Sequence, residues 1–130
     1  MPGHIALAVI LMLTLFQRDE TLRSYGGAGH EWQLIEMNGD TFDGQATLTF
    51  PTRNVIAGRG PCNSYQSRNA VPFPWFGAEP IRSTRMACPS LAQETEFFNA
   101  LQAATIAKVT DGLLVLSNDE TDLLVFKAGD

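Results

Sequence analysis

Only one stretch of this chain, Pro89 to Ala107, repeats its apolar residues at helical spacing. The clear patterns on either side of it are those of strands. Phe97, Phe98, Leu101, Ala104 and Thr105 fall three or four apart, which gives one apolar stripe along a helix. A helix of this length in a globular domain buries such a stripe against a neighbour. Glu94 and Glu96 lie near its positive N-terminal end, where carboxylates are favoured. Two residues apart, they point to different sides and make a poor acid–base pair.

Strand signals bracket that helix. Glu31 to Met37 (EWQLIEM) carries Trp32, read as core, and runs into the turn Asn38-Gly39-Asp40. Ala46 to Phe50 (ATLTF) alternates with a period of two, the mark of a half-buried strand. A short connection leads from it to Val55–Gly58, so a hairpin between the two runs is expected. Beyond the helix, Asp111-Gly112 turns into Leu113–Leu116, and Ser117 to Asp122 turns into Leu123–Phe126. One helix set among strands in this order predicts an α+β, mainly β fold: a small antiparallel, barrel-like sheet packed with one α-helix. A chain of 130 residues has room for one such domain, placed at residues 30–130.

Residues 1–29 read differently. Ile5 to Phe16 is a run of twelve residues without a charge. As a helix it would reach roughly 18 Å, short of the ~30 Å core of a bilayer. It matches the apolar core of a secretory signal, about 7–15 residues long. The segment is therefore expected to be an export signal or a membrane-associated stretch, followed by the Gly-rich joint Ser24–Gly29. Gly26 and Ala28 have the spacing of a cleavage site. The expected location is the bacterial periplasm or cell envelope, with transient membrane contact through residues 5–16. The competing reading is a buried first helix or extra residues translated from an upstream start.

Charge and residue supply exclude several functions. A formal net charge of −5 argues against a nucleic-acid partner. Arg59, Arg82 and Arg85 could form an anion site, but three separated arginines on an acidic chain are expected as surface charges. Of two histidines, His4 lies outside the predicted domain, which leaves little for His-based catalysis or metal binding. The acidic turn SNDETD lacks the ligand spacing of a calcium loop. No cofactor and no metal site are expected.

Val71 to Pro80 carries Pro72, Pro74 and Pro80 and cannot be a central strand, because proline lacks the N–H that a ladder needs. Its Phe73, Trp75 and Phe76 either cover an open end of the core or form an aromatic contact patch. Cys62 and Cys88 are too far apart in sequence for a redox CxxC pair and too few for a zinc quartet. Three readings stay open for them: a disulfide made in the envelope, two buried thiols, or a reactive thiol.

Around these cysteines the chain resembles a known family. Gly60-Pro61-Cys62-Asn63-Ser64-Tyr65 looks like a G-C-N motif, with Pro61 inserted. Ser83 to Pro89 (STRMACP) looks like an S-T-x-M-A-C-P motif. Trp32, Leu34 and Asn38-Gly39 match an opening W-x-L…N-G, and Glu94 or Glu96, Phe97-Phe98 and the last hairpin follow in order. The set is similar to the META domain family, the HslJ-like proteins, over about residues 30–127. The resemblance implies a small β-rich, barrel-like fold packed with a helix. It also implies an exported protein linked to heat shock and envelope stress, without catalytic residues. Its signature residues Asn63, Thr84 and Met86 are expected to be structural. Asn and Thr bond backbone in turns, and Met fills core gaps.

The expected function is thus a non-enzymatic, monomeric envelope module that binds a partner protein or small ligand, with Phe73, Trp75 and Phe76 as contact loop. The alternatives are a thiol-based redox sensor built on Cys62 and Cys88, and a hydrolase using Ser64, Ser83 or Cys88. The hydrolase lacks a base, since no motif supplies a histidine and no G-x-S-x-G occurs.

Overall fold

A computed structural model describes residues 27–129. The export or membrane segment at residues 5–16 lies outside the described residues. Among those described, no helix is long and apolar enough to cross a membrane. The elements run β1 (Glu31–Met37), β2 (Asp40–Thr41), β3 (Thr47–Leu48), β4 (Val55–Arg59), β5 (Ser64–Arg68), β6 (Arg82–Ser83), α1 (Leu91–Ala103), β7 (Ile106–Thr110), β8 (Leu113–Ser117) and β9 (Asp122–Gly129).

They form two antiparallel sheets. The larger has the order β2-β1-β9-β8-β7, with β3 also paired to β1; the smaller is β4-β5-β6. Three single bridges join them or seal their edges: Thr49 to Ala57, Asn69 to Ala78 and Trp75 to Ile106. Among the described residues, the expectation of a mainly β fold with one helix therefore holds. The sheet is not closed, so "barrel-like" applies only loosely.

Local chemistry explains the tight turns. Asn38 and Gly39 between β1 and β2 have φ of 52° and 86°, and Asp111 and Gly112 between β7 and β8 have 49° and 75°. Two-residue hairpin turns of type I′ need positive φ at both positions, which Asn-Gly and Asp-Gly supply at least strain. At Ile35 the β1–β9 register shifts, and the Ile35 carbonyl accepts the Phe42 N–H at 2.9 Å. Past the bulge, Glu36 and Met37 pair with β9 on one side and with β2 on the other.

The helix lies between the sheets. Phe97 is fully buried, with its ring 6.4 Å from Phe126 of β9 and 5.7 Å from Tyr65 of β5, both edge-on. Leu48, Ile56, Leu101, Leu114, Leu116 and Leu124 complete the buried set around it. Trp32 is core as expected, and its indole N–H donates to the Gly27 carbonyl at 3.0 Å. The interior thus takes the large ring without leaving its polar atom unpaired.

Several expectations change. The helix covers Leu91–Ala103, not Pro89–Ala107: Ala104 is already extended (ψ 137°), and β-branched Thr105 and Ile106 lead into β7. The expected hairpin between 46–50 and 55–58 is reduced to the antiparallel Thr49–Ala57 bridge, with both backbone hydrogen bonds, and a close approach of Gly58 to the Thr47 carbonyl. The main partner of β3 is β1 and that of β4 is β5. Strands β5, β6 and β7 carry no clear alternation of apolar residues and were not expected.

Candidate functional site

The two cysteine motifs meet at the N-terminal end of α1. Cys62 and Cys88 form a disulfide with their Cα atoms 5.8 Å apart, so they are not two buried free thiols. Beside it Asn63 is buried, and its side chain makes four hydrogen bonds. Nδ2 donates to the Met86 carbonyl at 3.1 Å and to Glu94 Oε1 at 2.7 Å. Oδ1 accepts from the Thr84 hydroxyl at 2.9 Å and from the Met86 N–H at 2.7 Å. Four bonds are all that one amide can make. This geometry ties the β5 entry to the loop after β6 and leaves Asn63 nothing for a ligand.

Glu94 completes the knot. It sits in the first turn of α1 and is only 3% exposed. Its Oε2 accepts the backbone N–H of Cys62 at 2.8 Å and of Asn63 at 2.6 Å. Three N–H donors and the positive end of the helix hold the carboxylate without a cation, because bonds to an ionised acceptor are the stronger kind. Gly60 leaves the room: a Cβ there would lie 2.7 Å from Glu94 Oε2. The sequence places Glu94 at the positive end of the helix and in the family pattern as an alternative to Glu96, but a signal for its burial was also present. Glu94 lies three residues before Phe97 and seven before Leu101, so it continues the buried stripe by one turn.

Other candidates separate. Thr84 and Asn63 bond each other and, through Asn63, the Met86 backbone, but the side chain of Met86 fills no core gap; it is 60% exposed. The knot uses only its backbone N–H and C=O, so the side chain is free to face solvent. In the proline loop Phe76 is buried, Phe73 packs partly buried on the core, and Trp75 is 58% exposed. The Phe76 N–H donates to the Thr105 carbonyl and the Ala107 N–H to the Pro74 carbonyl, both at 2.8 Å. The loop therefore seals the edge beside β7 while holding the Trp75 ring outward. Cover and patch are divided among its three aromatic residues.

The nucleophile candidates have no base in contact. Ser64 and Ser83 are exposed, and among the described residues neither hydroxyl bonds an imidazole or a carboxylate. His30 packs edge-on to Trp32 with ring centroids 5.1 Å apart. The sulfur of Cys88 is committed to the disulfide and accepts the Ser90 N–H at 3.4 Å. Tyr65 is buried and donates to the Thr47 carbonyl at 2.6 Å; burial pushes its hydroxyl pKa far above the usual value. Arg59, Arg82 and Arg85 are all exposed. No group of three or more metal-binding side chains occurs among the described residues.

Comparison with known proteins places the family and the fold. The sequence profile of the META domain matches residues 25–130. A protein from Burkholderia xenovorans solved by NMR superposes with a TM-score of 0.63 at 22% identity, over 82% of this chain and 86% of its own. A second NMR structure gives a TM-score of 0.59 at 21% identity, over 75% of this chain and 87% of its own. At these identities the likeness shows a shared fold. No curated protein matches the chain.

Proposed function

This chain belongs to the META domain family, and from that premise we propose that it is a non-enzymatic, exported binding module. It acts in envelope or heat-shock stress tolerance by holding a partner protein or small ligand. One observation carries the reading. The polar atoms of the signature residues are spent on one another, whereas Trp75 and Met86 stand out of the fold at 58% and 60% exposure. Large apolar side chains held outward by a rigid backbone suit a contact surface better than a reaction. The apolar run Ile5–Phe16 supports export.

The test is complementation. Cells lacking the protein would receive wild type, Trp75→Ala or Met86→Ala, with folding checked for each by thermal melting. Loss of heat or envelope-stress tolerance at unchanged melting temperature is the expected result. Full tolerance in both variants would remove these side chains from the function.

A thiol switch is the second reading. The Cys88 sulfur accepts an N–H at the start of α1, a setting that favours a thiolate after reduction. A reduction potential well above about −300 mV would support it; one below would leave a structural bridge.

A further inference from the structure

The net charge of this chain hides a strong division. Residues 51–90 carry five arginines and a single carboxylate, Glu79; the rest of the described domain carries Lys108 and Lys127 against ten carboxylates. The basic segment builds the β4-β5-β6 sheet, and pairing fixes which side chains share a face. Arg59 lies opposite Ser64, while Ala57, Gln66 and Arg82 form one row across all three strands. Gln66 and Ser64 are two apart on β5, so both rows lie on the same side of the sheet. Ser64, Gln66, Arg68, Arg59 and Arg82 are all exposed, whereas the alternate residues Tyr65 and Ser67 are buried. This is the outer face, and Gln66 stands at its centre.

We propose that the outer face of β4-β5-β6 binds a compact ligand with two phosphate-like groups, held by Arg59 and Arg82 with Gln66 between them. The two arginines are two strands and one two-residue step apart, so their Cα atoms lie about 12 Å from each other at ~4.8 Å per strand and ~3.4 Å per residue. Long side chains can close on two oxyanions of one ligand across that span. Neither makes an ion pair among the described residues, while Arg68 already has Glu79 at 3.9 Å. Ala57, Ser64, Gln66, Arg82 and Thr84 line an open depression on this face, and Arg59 stands beside it, opposite Ser64. The small side chain of Ala57 keeps it low on the β4 side, and Gln66 and Ser64 add donors. A face of guanidinium, amide and hydroxyl donors matches an anion that is only an acceptor. The patch is three strands wide, which suits a short ligand rather than a nucleic-acid duplex. It uses different residues from the Trp75 and Met86 surface, so the two proposals stand or fall separately.

The test is an amide NMR titration of the full chain with sodium tripolyphosphate at low salt. A parallel sedimentation assay uses phosphatidylglycerol vesicles, with phosphatidylcholine vesicles as control. The proposal expects saturable shifts at Arg59, Gln66 and Arg82, or sedimentation with the anionic vesicles alone, weakened roughly tenfold or more in Arg59→Gln/Arg82→Gln. Shifts with tripolyphosphate point to a soluble ligand, and sedimentation without them points to lipid headgroups. Lys108→Gln/Lys127→Gln, on the other sheet, should bind as wild type. No shift and no sedimentation would overturn the proposal. So would equal weakening in both double variants, or saturable binding that leaves the three residues unmoved.

Discussion

Asn63 and Glu94, thirty-one residues apart, are joined twice: the Asn63 backbone N–H donates to Oε2 at 2.6 Å and its side-chain Nδ2 to Oε1 at 2.7 Å. The pair links the G-x-C-N turn to the helix, and through Asn63 it reaches Thr84 and Met86. Glu94→Gln would set an amide NH2 against a donor, either the Asn63 Nδ2 or the backbone N–H groups. A loss of about 2–3 kcal/mol in unfolding free energy is expected by urea titration. Glu96→Gln, on an exposed bond to Asn38, should cost less than about 1 kcal/mol.

Gly60 has no steric freedom beside that carboxylate. Gly60→Ala should destabilise by about 1–3 kcal/mol, since a Cβ would lie 2.7 Å from Glu94 Oε2. Glu94→Ala removes the obstructing oxygen. In a double-mutant cycle the two changes should couple by about 1 kcal/mol or more, and simple additivity would argue against the contact.

The helix stripe and the C-terminal hairpin were legible because Leu and Phe recur there at the right periods. Glu31–Met37 was read to its bounds from Trp32 and the Asn-Gly turn. Strand β5 was not legible: its buried positions are Tyr65 and Ser67, and the serine is satisfied by the Glu79 carbonyl at 2.6 Å. An apolar-periodicity test cannot see a buried serine whose partner lies twelve residues away. Strand β7 was hidden in part because its Ile106 and Ala107 directly follow the helical stripe. At the site, the motifs named Cys62, Asn63, Thr84, Met86 and Cys88. The role of Glu94 depends on a contact thirty-one residues long, and Met86 was misjudged because residue type alone does not show that a side chain faces water.

The buried Tyr65 hydroxyl sets an alkaline limit. Its folded pKa is raised, while the unfolded chain ionises near ~10. Below pH 10 both states hold the proton and stability does not depend on it. Above that, the unfolded state loses the proton first, so stability falls as pH rises. Urea titrations from pH 9 to 11.5 should show this slope in wild type, and a smaller one in Tyr65→Phe.

The proline loop should divide by burial. Phe76→Ala empties a core site and should cost about 3–5 kcal/mol. Trp75→Ala should stay within about 1 kcal/mol, because its ring is mostly in solvent. Comparable losses in calorimetry would mean that Trp75 serves the core.

Asn63, Thr84 and Glu94 form a structural knot with the Met86 backbone, from which the Met86 side chain projects into solvent. Unfolding free energies of Asn63→Ala and Met86→Ala, measured side by side in urea, test it most directly. A loss of about 3 kcal/mol or more is expected for Asn63→Ala, which leaves Glu94 and Met86 with unpaired groups. For Met86→Ala the expected change is within about 0.5 kcal/mol. A fully stable Asn63→Ala, or a Met86→Ala as damaged as its neighbour, would contradict it.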